Sequence, residues 1–242
     1  MIPKPTPDQL AWQDLEVGMF FHFDMFTFQE TSGYPPPDSS LYNPTELDTD
    51  QWLEAARAIG AKYAVLVAKH GHGFLQWQSD AYPYGVRQSP WRGGKGDLVQ
   101  DFTKSCARYG IQPGIYAVLS ENDFLRVRLP GLVDDGQGSD PEKQRAYVRI
   151  CEQMLTELWS RYGELTEIWF DGGALTPEQG GPDMIPLLQK YQPHAMVFQG
   201  PAATIRWVGN EAGHANYPCW ATVRCSGEAG RGAPRPGQSA ED

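Results

Sequence analysis

No apolar run in the 242-residue sequence approaches the roughly 20 residues that a membrane-spanning helix requires. The start, Met1-Ile2-Pro3-Lys4-Pro5-Thr6-Pro7, likewise lacks the apolar centre of a secretory leader. Cysteine is scarce: Cys106, Cys151, Cys219 and Cys225 show no C-x-x-C spacing and are too few for a disulfide scaffold. These features lead us to expect an intracellular, reduced chain, cytoplasmic by default. Positive charge is outnumbered, with 20 Lys and Arg against 30 Asp and Glu and a net charge of -10. Nucleic acid and anionic membrane are therefore not expected as partners, since both need a basic surface. The sequence leaves the oligomeric state open.

Aromatic residues, by contrast, are plentiful. Eight Trp and eleven Tyr suit stacking surfaces as well as a core. Hydrophobic content of 40% with 21% charged residues is ordinary for a soluble globular protein. Buried strands are expected at 19–23, 63–68, 114–118, 167–171 and 196–199, with a sixth at 204–208. Asp50, Asp97 and Ser139-Asp140-Pro141 open helices that Gly60, Gly110 and Gly163 close, and a shorter helix lies around 185–188. Such alternation marks a parallel α/β fold.

No glycine-rich phosphate loop follows the first strand, and no internal repeat is evident. Polar residues instead stand at the end of strand after strand, which favours a TIM-like (β/α)8-type barrel over a doubly wound sheet. Six strands can be counted, so the barrel is expected to be incomplete at the C-terminus, as in a fragment or an altered gene product. Only residues 200–203 join the last two, where a parallel crossover takes a dozen or more. Residues 1–14 read as an N-terminal arm, 15–225 as the partial barrel, and 226–242 as a Gly/Pro-rich tail expected to be disordered.

The most informative stretch is Glu167-Ile168-Trp169-Phe170-Asp171-Gly172-Gly173. Along a strand Glu167, Trp169 and Asp171 share one face, and Ile168 and Phe170 share the other. The second face suits helix packing. The first carries a ring and an acid to the strand's C-terminal end, where parallel folds keep their chemistry. His22, His70, His72 and Tyr116 stand at or near other strand ends, and Glu211 follows the sixth. Two carboxylates with imidazoles and aromatic rings suit sugar cleavage, because carboxylates serve as nucleophile and acid/base, imidazoles bond hydroxyls, and rings stack on sugar faces.

Phe21-His22-Phe23, Lys69-His70-Gly71-His72-Gly73-Phe74 with Trp77, Ser89-Pro90-Trp91, Gly114-Ile115-Tyr116, Trp169-Phe170-Asp171-Gly172 and Gly209-Asn210-Glu211-x-Gly213 occur in that order. In this the sequence resembles the α-L-fucosidases of glycoside hydrolase family 29, over roughly residues 15–220. The resemblance implies a retaining exo-enzyme with a barrel catalytic domain, no metal and no cofactor, acting on fucosylated oligosaccharides or glycoconjugates. It implies Asp171 as nucleophile and Glu211 as acid/base, and a carboxyl separation of about 5–5.5 Å between them. His22, Glu30, His70 and His72 would read the fucose hydroxyls, and Trp77, Tyr116 and Trp169 would line the pocket.

Two departures stand out. Relatives carry adjacent histidines after the second strand, whereas here Gly71 intervenes. On an extended chain His72 would still share a face with His70, but a turn at Gly71 would remove it. Relatives also continue with further strands where this sequence drifts into Gly/Pro-rich material. Two other readings therefore stay open: a catalytically inactive fucose-binding or unstable barrel fragment, and a metal-dependent hydrolase barrel using His70 and His72 as a zinc pair.

Overall fold

The computed structural model describes residues 4–138, 140–219 and 222; the 226–242 tail lies outside them. Five parallel strands form the central sheet, in the order β1 (Gly18–Phe21), β2 (Tyr63–Lys69), β3 (Gln112–Ala117), β4 (Glu167–Trp169) and β5 (Met196–Phe198). Each strand pairs with the next along the chain. A sequential order lacks the reversal at which a doubly wound sheet changes direction, so this is the winding of a barrel. Helix α1 (Pro7–Gln13) precedes the sheet, and α2 (Thr49–Ala58), α3 (Leu98–Tyr109), α4 (Pro141–Arg161) and α5 (Ile185–Tyr191) follow the first four strands in turn. No helix among the described residues is long and apolar enough to cross a membrane.

Strand alternation divides the apolar side chains between two faces. Ala64, Leu66 and Ala68 of β2, Ile115 of β3 and Ile168 of β4 join Leu53, Leu98, Phe102, Leu155 and Leu158 in the core between sheet and helices. Val65, Val67, Tyr116 and Val118 form a smaller cluster on the inner face, with Tyr63 and Trp169 against it. Burial on both faces is why these strands read as continuous apolar runs. Gly114 is the close-approach position of β3, since a Cβ there would lie 2.9 Å from the Glu167 carbonyl oxygen and from a Val65 methyl.

Helix ends follow local side-chain chemistry. Asp97 caps α3 by accepting the Gln100 N–H, and Gly110 ends it at φ 67°. Asp140 caps α4 ahead of Pro141. At α2 the cap is Asp48, not Asp50. Asp48 Oδ1 accepts the Asp50 and Gln51 N–H groups, while Asp50 sits inside the first turn and accepts from Ser105 at 2.5 Å.

The expected sixth strand is absent. Residues 204–208 make one isolated bridge, Phe198 to Ile205, and Thr204 folds back so that its N–H donates to Val197 O at 2.8 Å. Four connecting residues are too few to carry a parallel neighbour across. The first strand also stops at Phe21, which leaves His22 in the loop beyond it.

The N-terminal arm contains a helix that the sequence reading left out. Thr6 and Gln9 form a capping box around Pro7. Helix α1 docks at the N-terminal ends of the strands, where Trp12 Nε1 donates to Glu167 Oε2 at 2.9 Å and Gln9 Nε2 donates to Thr204 O at 2.6 Å.

Candidate active site

Beyond β4 the chain turns sharply through Gly172 and Gly173, at φ 71° and 77°. A Cβ on Gly172 would collide with the Ser120 hydroxyl, which donates to the Asp171 carbonyl oxygen at 3.0 Å. The glycine therefore lets the loop after β3 clamp the turn that carries Asp171. Tyr116, at the end of β3, donates from its Oη to Asp171 Oδ2 at 2.8 Å. Burial, reinforced by the Asp171 carboxylate, raises the Tyr116 phenol far above its ordinary value. It thus stays a neutral donor that fixes one carboxylate oxygen. The other oxygen receives no hydrogen bond from the described residues.

The inner wall beside this carboxylate is aromatic. Trp169 packs on Phe198 with ring centroids 3.8 Å apart and meets Phe20 edge-on at 5.2 Å, while Trp207 lies 6.5 Å away. Phe20 remains 41% exposed, so this face is open.

Imidazoles complete the rim. The His70 ring lies parallel to Tyr116 at 5.7 Å and 4.8 Å from the His22 ring. Burial lowers the His70 pKa. His22 is held by the carboxylate of Asp24, 3.3 Å from its Nε2, and that bond raises the His22 pKa. Asp24 is itself buried, and its Oδ1 accepts the Phe26 N–H at 2.9 Å.

The remaining expected residues are placed elsewhere. The Gly73 N–H donates to His70 O at 2.9 Å, closing a turn around Gly71. His72 consequently stacks on Phe26 at 3.8 Å and pairs its Nε2 with Thr31 O at 2.6 Å, so it anchors the loop after β1. Trp77 is 1% exposed, belongs to the sheet–helix core and donates its indole N–H to Glu157 of α4 at 2.8 Å. It does not line the pocket. Glu30 lies exposed in the loop after β1. Glu211 is exposed on a turn organised by Asn210, whose Oδ1 accepts the Ala212 and His214 N–H groups at 3.0 and 3.2 Å.

Three contributors were missed in the sequence. Asp24 stands two residues after His22, a spacing that itself hints at a partner. Ser120 offers no signal of its own. Lys69, immediately before His70, is fully buried, and its ammonium donates to Val118 O and to Glu121 O at 2.7 Å, shaping the loop that holds Ser120. Burial pushes its pKa down to about 8.

Comparison with known proteins identifies the family and the fold. The sequence profile of the α-L-fucosidase family matches residues 28–226. Alpha-L-fucosidase 1 of Arabidopsis thaliana is 33% identical over 225 residues, covering 91% of this chain and 42% of that protein. A solved Bacteroides thetaiotaomicron structure, assigned to the α-L-fucosidases, is 44% identical, with a TM-score of 0.84 over 92% of this chain and 52% of that one. A glycoside hydrolase 29 family member from an unknown rumen bacterium is 30% identical, with a TM-score of 0.70 over 88% of this chain and 39% of that one. The chain thus spans about half the length of these relatives, and its sheet corresponds to part of their (β/α)8 barrel. Since the matched region takes in most of the sequence, the chain belongs to the α-L-fucosidase family, glycoside hydrolase family 29.

Proposed function

We propose that the protein hydrolyses terminal α-L-fucose from oligosaccharides or glycoconjugates by double displacement. The observation that carries this reading is the Asp171 carboxylate at the end of β4, one oxygen held by the neutral Tyr116 phenol at 2.8 Å and the other uncommitted beside an open aromatic wall. In the first step the free oxygen attacks C1 of fucose, the C1–O bond to the leaving group breaks, and Glu211 donates a proton to the departing oxygen. In the second step Glu211 takes a proton from water, which attacks C1 and releases Asp171 from the ester. A retaining reaction requires the Glu211 turn to bring its carboxyl to about 5–5.5 Å from Asp171. His22 and His70 bond the sugar hydroxyls, and Trp169 with Phe20 receives the 6-methyl group.

Turnover of a chromogenic aryl α-L-fucoside tests the reading. Asp171→Ala should lose at least roughly 10³-fold in kcat, as removal of a nucleophile does, and Glu211→Ala should be partly rescued by azide. Activity that persists in Asp171→Ala contradicts the reading. A second outcome is motivated by the exposed position of Glu211 and by a sheet of five strands. Thermal stabilisation by fucose without turnover would mark a binding protein instead.

A further inference from the structure

The sequence suggested His70 and His72 as a metal pair, but the turn at Gly71 takes His72 away to Phe26 and Thr31. The structure puts two other side chains beside His70. Donor atoms of His22, Asp24 and His70 all lie within 4.8 Å of one another. Zinc with bonds of about 2.0–2.1 Å in a tetrahedral shell holds its donors roughly 3.3 Å apart. His22 Nε2 and Asp24 Oδ1 already stand at 3.3 Å.

Three further features fit an ion. Asp24 supplies a buried negative charge, 3% exposed, while the His22 side chain is 46% exposed and gives the entrance. The Phe26 N–H bonded to Asp24 orients that carboxylate, as outer-shell partners orient metal ligands. His70 Nδ1 is buried and has no hydrogen-bond partner, although the ring is fixed by Tyr116, His22 and Phe26. Buried polar nitrogens seldom go unpaired. Two imidazoles and one carboxylate suit zinc and its neighbours rather than calcium or magnesium, and three protein ligands leave one position open.

We propose that His22, Asp24 and His70 bind a zinc-class divalent cation at the rim of the fucose pocket, and that ion and sugar exclude one another. The ion takes the nitrogen lone pairs with which the imidazoles would otherwise meet hydroxyls, so it inhibits. Only the exclusion rests on the fucosidase reading; the binding does not.

Calorimetric titration of chelator-stripped protein with zinc chloride tests this. One zinc per chain is expected, weakened more than about tenfold in both Asp24→Asn and His22→Gln and unchanged in His214→Ala. Asp24→Asn keeps an oxygen for the Phe26 N–H, and equal metal-free melting temperatures confirm that the variants fold. Cobalt(II) bound to the wild-type protein should show the intense visible absorption of a four-coordinate site. Added L-fucose should weaken zinc binding. No stoichiometric zinc, wild-type affinity in either variant, or a six-coordinate cobalt spectrum overturns the zinc site, and zinc binding indifferent to fucose overturns the exclusion. Because zinc binding is read without turnover, its failure leaves the hydrolase reading standing, and loss of turnover on fucosides leaves zinc binding to be judged on its own.

Discussion

Glu167 is an acid placed where an acid is costly. It is 1% exposed at the N-terminal end of β4, at the opposite end of that strand from Asp171, with the Trp12 indole as its hydrogen-bond donor. Burial raises its pKa from 4.5 to about 7, and the Trp12 bond offsets only part of that. Below pH 4.5 both folded and unfolded chains carry the proton, so Glu167 adds no pH dependence. Between 4.5 and about 7 the unfolded chain releases the proton while the folded chain keeps it, and rising pH favours unfolding. Above 7 both are ionised and the loss levels off. At roughly 1.4 kcal/mol per pH unit, the gap amounts to about 3 kcal/mol. That is a large share of the 5–15 kcal/mol that holds a typical domain together. Urea denaturation at pH 5 and pH 8 measures it. The wild-type chain should be more stable at pH 5 by a margin that Glu167→Gln largely removes, and Trp12→Phe should move the transition to higher pH. A Gln variant with the wild-type pH slope would refute the assignment of that slope to Glu167.

Other consequences can be read from single contacts. Tyr116→Phe removes a hydrogen bond to a charged group, so kcat/KM on an aryl fucoside should fall by roughly ten- to a hundredfold, with little change in melting temperature. Phe170 is fully buried against Trp159 of α4. Phe170→Ala should cost about 3–5 kcal/mol in chemical denaturation. Trp77→Phe should lower stability by about 1–3 kcal/mol, because buried Glu157 Oε2 loses its donor while Oε1 keeps the Asp80 N–H and Arg161, and leave KM unchanged. Trp169→Ala, in contrast, should raise KM.

The strands were legible because burial on both faces writes unbroken apolar runs, and the caps at Asp97 and Asp140 because one side chain and two or three amides decide them. Asp171 was legible for a related reason: an acid followed by two glycines ends an otherwise apolar strand. The errors lie where distant residues decide. Trp77 reads like a pocket residue until Glu157, 80 positions away, takes its N–H. His72 depends on whether Gly71 turns, and the Gly73–His70 bond settles that. Residues 204–208 carry strand-like composition but lack the length of chain needed to cross to a parallel neighbour. The capping box at Thr6 and Gln9 was plain in the sequence, yet a seven-residue helix with no buried side chain shows no periodicity to support it. The pairing of His22 with Asp24 arises in the loop beyond β1, where alternation no longer constrains side chains.

The decisive measurement is covalent trapping. A slow 2-fluoro fucosyl donor should leave one fucosyl group per chain, and peptide mass spectrometry should place it on Asp171, with none in Asp171→Asn. A label on any other carboxylate, or rapid aryl-fucoside turnover in Asp171→Asn, would contradict Asp171 as the nucleophile.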